Sequence, residues 1–142
     1  MILPDVNVLI YAYDELADDH VKIKTWLTTV LNNEPVFLNW HTITAFLRII
    51  TNPRIFARPL KIDEAIDIVQ SWISRANVEI VSLDKRSWQL YAAALRDVGA
   101  TGNMVMDAHL AALAISRGAI LASRDRDFRK FDGLRTLDPV KS

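Results

Sequence analysis

The stretch Met1-Ile-Leu-Pro-Asp5-Val-Asn7-Val-Leu-Ile10 sets one carboxylate and one amide inside an otherwise aliphatic run. Ile2 and Leu3 followed by Pro4 fit a buried strand, and Val6, Val8, Leu9 and Ile10 resume the apolar character at once. Met1 to Ile10 is therefore read as a buried strand that delivers Asp5 and Asn7 to a turn. An unpaired carboxylate among aliphatics costs several kcal/mol, so a chain built this way supplies a metal, a cation or hydrogen-bond donors. The plain structural alternative is a helix cap, in which Asp5 or Asn7 accepts amide hydrogen bonds where the next helix begins.

Outward from that stretch, strand and helix patterns alternate. Asp18 and Asp19 precede a segment with Ile23, Leu27, Val30 and Leu31 at helical spacing, and Val36 to Leu38 is a compact strand. From Trp40 a helix presents Ile43, Phe46, Leu47 and Ile50 on one face until Asn52-Pro53 stops it. Lys61 to Ala76 reads as a helix with acids in its first turn, and Val78 to Val81 as a strand. Asp84 caps a helix packed through Trp88, Tyr91, Ala92 and Leu95, which ends near Gly99. Asn103 to Arg117 is an alanine-rich helix ended by Gly118; Ala119 to Ala122 and Leu134 to Leu137 are the last strands. This alternation predicts one α/β domain over residues 1–142, a three-layer α/β/α sandwich around a mostly parallel sheet of four to five strands.

Composition narrows the class. With 142 residues, 51% hydrophobic and 24% charged, the chain is long enough for one core. No cysteine is present, which removes disulfides and thiolate zinc sites. No apolar run approaches the roughly 20 residues that cross a bilayer, and the start lacks a signal-peptide pattern, so a cytoplasmic protein without membrane attachment is expected. Lys+Arg and Asp+Glu balance at 17 each, so any nucleic-acid surface must be local.

In a parallel sheet of this kind, ligands collect outside the carboxyl ends of the strands, where the topology reverses. Asp5 follows the first strand, and Asp125 and Asp127 follow Ala119–Ala122 in Ser123-Arg-Asp125-Arg-Asp-Phe128. Asp107 lies in the helix Asn103–Arg117 above Leu110, Ala111 and Ala114, so it projects from the apolar face; the alternative there is helix N-terminal electrostatics. Converging carboxylates repel by roughly 4 kcal/mol per pair at about 4 Å in an effective dielectric near 20, which calls for a cation between them. With oxygen ligands alone, Mg²⁺ or Mn²⁺ is the natural occupant, and the chemistry this permits is phosphodiester hydrolysis.

Taken together, Asp5-Val-Asn7-Val-Leu, the Trp40…Phe46-Leu-Arg48-Ile…Thr51-Asn-Pro-Arg54 segment, Asp107-Ala-His-Leu-Ala-Ala and Ser123-Arg-Asp125-Arg-Asp-Phe128 resemble the PIN-domain family, in particular the VapC-type toxins of toxin–antitoxin pairs. The resemblance spans nearly the whole chain in the right order. It implies a metal-dependent endoribonuclease, usually a homodimer, held inactive by a cognate antitoxin protein. It also implies that Asp5, Asp107 and Asp125 form the acidic Mg²⁺ or Mn²⁺ site, with Asn7 supporting it and Asp127 a secondary candidate. One position departs from the pattern: where the family usually carries a Glu, the chain has Ala45, with Thr42 on the same helical face. Thr42, Thr44 or a water would then substitute as a neutral, weaker ligand, and a weaker metal site is expected.

Arg48, Arg54, Arg58 and Lys61 form one basic group, and Arg124, Arg126, Arg129 and Lys130 another; Arg48, Arg54, Arg124 and Arg126 are the expected RNA contacts, against the alternative of a solvated surface. Trp26, Trp72 and Trp88 are expected in the core, Trp40 is open, and His20, His41 and His109 receive no catalytic role. An apolar cleft between the helices Asp18–Leu31 and Thr42–Thr51 is the expected antitoxin groove. The rival readings are a PIN-like binding module that has lost catalysis with its Glu, and a receiver-type domain with Asp84 as phosphoacceptor. A phosphohydrolase with an Asp-x-Asp pair fails because Asn7 cannot serve as the second acid.

Overall fold

The computed structural model describes residues 1–141. Its elements are β1 (Ile2–Pro4), α1 (Val6–Tyr13), α2 (His20–Asn33), β2 (Val36–Leu38), α3 (Trp40–Ile50), α4 (Ile62–Ile73), β3 (Val78–Ile80), α5 (Trp88–Asp97), α6 (Asn103–Arg117), β4 (Ile120–Ala122) and β5 (Thr136–Leu137). Short 3-10 turns cover Lys85–Ser87 and Arg126–Lys130. The strands form one sheet in the order β3-β2-β1-β4-β5, and every neighbouring pair is parallel.

Pleating divides the core into two halves. Successive strand residues point to opposite faces, so Ile2, Val36, Leu38 and Ala122 pack with α1, α2, α3 and α4, while Leu3, Phe37 and Leu121 pack with α5 and α6. The result is the three-layer α/β/α sandwich expected from the alternation, with Trp72, Phe46 and Phe128 among its largest fully buried side chains. Phe46, Trp72 and Tyr13 form an aromatic knot, with ring centroids 4.8 Å apart for Phe46–Trp72 and 5.9 Å for Tyr13–Trp72. The Trp72 indole N–H donates to the Tyr13 hydroxyl at 3.2 Å, so its polar end is satisfied inside.

The opening stretch departs from the strand reading. The strand stops at Pro4, and Val6–Tyr13 is helical, with Val8, Leu9, Ile10 and Ala12 buried. A helix apolar on all sides and a buried strand give the same short sequence signal. Asp5 is the N-cap, its Oδ1 accepting the Val6 amide at 2.7 Å, so the capping alternative is realised. Elsewhere the differences are at ends: Lys61 caps α4 rather than opening it, and Asp84 caps the Lys85–Ser87 turn that leads into α5. Gly118 ends α6 in the left-handed conformation at φ 62°, and the Ala119 amide reaches back to the Ala114 carbonyl at 2.9 Å.

α1 packs against both α2 and α3, which fills the cleft expected between those two helices. The apolar groove on this side lies instead on α2 itself, about 590 Å³ beside Val21, Trp26 and Pro139. Among the described residues no helix is long and apolar enough to cross a membrane.

Candidate active site

The strand order reverses between β1 and β4, and their carboxyl ends carry the site. Register builds it. Ile2, Leu3 and Pro4 pair with Ile120, Leu121 and Ala122, and the ladder continues as the Asp5 amide donates to the Ala122 carbonyl at 2.8 Å. Asp5 and Ser123 therefore leave the sheet side by side.

Ser123, which sequence reading did not assign, is the centre of the polar network. Buried at 6% exposure, its hydroxyl donates to Asp5 Oδ2 at 2.8 Å and accepts the Asp125 amide at 3.0 Å and Asn7 Nδ2 at 3.4 Å. One donor and two lone pairs are thereby used in full. Asn7 closes the arrangement by accepting the Arg124 amide at 3.4 Å. Asp125 Oδ1 accepts the Asp127 amide at 2.8 Å, which caps the 3-10 turn and leaves Asp127 exposed, 3.8 Å from Lys130 Nζ.

Asp107 comes from the other layer, one turn into α6, with its carboxylate free of hydrogen bonds and ion pairs among the described residues. A cleft of about 100 Å³ joins it to Asp5. Asn39 and Thr42 form one wall, locked together because Asn39 caps α3 through the Thr42 amide at 2.9 Å and donates to its hydroxyl at 3.1 Å. Ala45 lines the same cleft, so the position of the expected Glu does face the acids.

Electrostatics fits the grouping. Burial pushes the Asp5 carboxyl up to about 6; bonds from Ser123 and Val6 pull it back, and the charges of Asp107 and Asp125 push it further up. Asp107 is also raised, first by burial, then by Asp125 and Asp127, with Lys130 opposing. No three His, Asp or Glu side chains among the described residues form a ready-made cage. The hard oxygen donors still suit Mg²⁺ or Mn²⁺, which bind through one or two carboxylates and keep several waters. At about 30 Å³ of liquid volume per water, the cleft has room for a partly hydrated ion.

The predicted arginines divide. Arg124 is committed internally: Nη1 donates to Asp19 at 2.8 Å, and Nε lies 3.0 Å from Asp138 as an ion pair too bent for a hydrogen bond. It ties the start of α2 to the C-terminal segment, so its guanidinium is engaged within the chain. Arg126 is exposed and unpaired among the described residues. Arg48 is exposed about 9 Å along α3 from Thr42, Arg54 follows in the next loop, and neither lines the cleft.

One further expectation changes. Trp88 is 56% exposed rather than core, and Trp40, whose place the sequence leaves open, is 60% exposed. His41 and His109, from α3 and α6, both line the cleft, with ring centroids 6.4 Å apart. Burial lowers the His109 pKa, as does His41. No spacing signal links these two histidines in the sequence. Asp84, the rival phosphoacceptor, lies beyond edge strand β3 with its carboxylate occupied by Ser87 at 3.1 Å.

An acidic cleft at the switch point of this parallel sandwich defines the class, and residues 2–134 match the model of the PIN domain: the chain belongs to the PIN-domain family. Within it, the chain is 36% identical over 140 residues to Ribonuclease VapC37 of Mycobacterium tuberculosis, covering 98% of this chain and 97% of that protein. It is likewise 36% identical over 137 residues to Ribonuclease VapC48 of the same species, covering 95% and 94%. Among solved structures, the fold matches VapBC2 from Rickettsia felis bound to a promoter DNA fragment, with TM-score 0.69, 18% identity, and coverage of 96% and 98%. It also matches Mycobacterium tuberculosis VapC20, a toxin that cleaves the sarcin–ricin loop, with TM-score 0.66, 16% identity, and coverage of 95% and 99%.

Proposed function

We propose that this chain is a metal-dependent endoribonuclease and the toxin of a toxin–antitoxin pair. The observation that carries the reading is the Ser123 hub, which holds Asp5 and Asp125 at one strand junction while Asp107 faces them with no internal partner. Full-length relatives named VapC ribonucleases support the same reading.

Asp5 and Asp107, with Asp125 beside them, are the carboxylates that would hold Mg²⁺ or Mn²⁺. Such an ion supplies Lewis acidity toward a phosphoryl oxygen and a nucleophile at neutral pH. The chain itself orients Asp5 through Ser123 and Val6, and keeps the cleft narrow through the Asn39–Thr42 lock. The substrate is RNA, and an antitoxin protein and a second copy of the chain complete the reading; sedimentation of the purified chain tests the homodimer.

Total cellular RNA incubated with the protein in Mg²⁺, Mn²⁺ or EDTA, beside Asp107→Asn, tests the activity. Discrete metal-dependent fragments that vanish in the variant are expected. The second reading is a PIN-like module that binds RNA or protein without cutting. It draws on Ala45 in the wall of the cleft and on the lack of a three-ligand cage among the described residues. A folded, antitoxin-free protein that leaves all RNA intact would select it.

A further inference from the structure

A row of rings leads from the acid cleft to the surface. His41 and His109 line the cleft; His109 packs against Tyr91 with centroids 5.5 Å apart, and Tyr91 against Trp88 at 5.9 Å, each contact edge-to-face. Tyr91 is fixed in place, its hydroxyl donating to the Val105 carbonyl on α6 at 3.2 Å. The outermost ring, Trp88, is 56% exposed at the first position of α5. A large indole held open to water by a supporting ring gives up apolar burial that the neighbouring core offers to Ala92 and Ala94. The turn before it, Lys85–Ser87, carries Lys85 and Arg86, both exposed and unpaired among the described residues. An aromatic face next to free cations, continuous with a phosphodiester-cleaving site, is the arrangement by which proteins hold single strands: bases stack while cations follow the backbone.

We propose that Trp88, backed by Tyr91 and His109, is a base-stacking platform for single-stranded RNA on one side of the scissile phosphate, with Lys85 and Arg86 contacting the flanking phosphates. The inference rests on the ribonuclease reading for its substrate class, and it names a part of the substrate path outside the acidic site. Trp88 is a positioning residue: it holds a base and leaves the reacting atoms to the carboxylates. Stacking is tolerant of base identity because every base has a π-face, so the platform fixes where the strand lies more than which sequence it has.

Binding is measured with a fluorescein-labelled, unstructured oligouridine of about twelve nucleotides, within the span of known single-strand sites, in EDTA so that no cleavage intervenes. Trp88→Ala is expected to weaken binding about tenfold, and Trp88→Phe, which keeps an aromatic face, to stay within about threefold of the original chain. Lys85→Ala with Arg86→Ala is expected to flatten the dependence of log affinity on log salt by about 1.4, whereas Trp88→Ala lowers affinity and leaves that slope in place. An abasic site scanned along the strand is expected to cost affinity at one or two positions, and to cost nothing more there once Trp88 is Ala.

Trp88→Ala binding within twofold of the original chain, absence of oligouridine binding, or loss in Trp88→Ala of antitoxin binding but not RNA binding would each overturn the platform. The last of these would make the face a protein-docking surface. The ribonuclease reading fails on a different readout: a chain that binds oligouridine through Trp88 yet cuts no RNA with Mg²⁺ retains the platform and loses the nuclease. A chain that cuts equally well with Trp88 as Ala, on saturating and on limiting RNA, retains the nuclease and loses the platform.

Discussion

Asp5→Asn is expected to make the stability of the metal-free protein rise between pH 5 and pH 7 relative to the original chain, while ending its activity. The Asp5 carboxyl is pushed up to about 6 in the fold, first by burial and then by Asp107 and Asp125, from an ordinary value of 3.8. Because the folded value lies above the unfolded one, the folded state holds the proton more tightly. The contribution to stability is complete below about pH 4, declines as pH rises, and is lost above about pH 6. Linkage with these two values gives a loss of about 2 kcal/mol by pH 5 and about 3 kcal/mol by pH 7. Asn keeps the cap to the Val6 amide and carries no charge, so it escapes this loss. Its stability relative to the original chain should therefore rise by about 1 kcal/mol between pH 5 and pH 7. For a domain of this size that is a relative gain in Tm of about 4 °C. The assay is thermal unfolding of both proteins in EDTA at the two pH values, and comparing differences cancels other titrating groups. A difference in Tm that does not change between pH 5 and pH 7, or that moves the other way, would refute a buried, mutually repelled Asp5. Saturating Mg²⁺ should narrow the gap, since a ligand of the native carboxylates stabilises only the chain that has them.

Other consequences are equally direct. Ala45→Glu puts a carboxylate in the wall of the cleft that holds Asp5 and Asp107, and Mg²⁺ affinity by calorimetry should rise about tenfold; unchanged affinity would argue against a site short of one ligand. Ser123→Ala removes the donor to Asp5 and the acceptor for Asp125 and Asn7, so the Asp5 carboxyl should titrate higher by NMR and RNA cleavage should fall at least about tenfold. Arg124→Ala frees Asp19 and Asp138 and should cost about 1–2 kcal/mol in urea unfolding, while Arg126→Ala should leave stability intact and reduce the salt slope of RNA binding by about 0.7; the opposite assignment would return Arg124 to the RNA surface. Trp72→Ala, at 1% exposure against Phe46 and Tyr13, should cost about 3–5 kcal/mol and unfold at markedly lower denaturant.

Where one helix or strand was long and periodic, the sequence was enough to place it. α6 spans Asn103–Arg117 as expected, because its alanine face repeats at helical spacing and Gly118 supplies the left-handed end. The three-layer arrangement follows in turn from alternating strands and helices, a local property of the pattern. The sequence also marked Asp5 and Asp107 by their apolar surroundings, and Asp125 by its place just after the strand Ala119–Ala122.

Only the tertiary structure decided how those residues meet. The Asp5–Ser123 bond joins positions 118 apart and exists because β1 and β4 pair in one register, which no local spacing encodes. The run Val6–Ile10 is a helix that Asp5 caps, with Val8, Leu9 and Ile10 buried, although a strand would satisfy the same local pattern. Trp88 left the core because it begins α5, where Ala92 and Ala94 already occupy the packed positions, and periodicity does not say which end of an apolar face reaches the surface. His41 and His109 came together because α3 and α6 approach the same sheet edge from opposite layers. Sequence therefore determined which chemistry the chain carries and the layers that carry it, while strand register and helix packing determined which groups share a cleft, because contacts between distant segments are fixed only when the whole core closes.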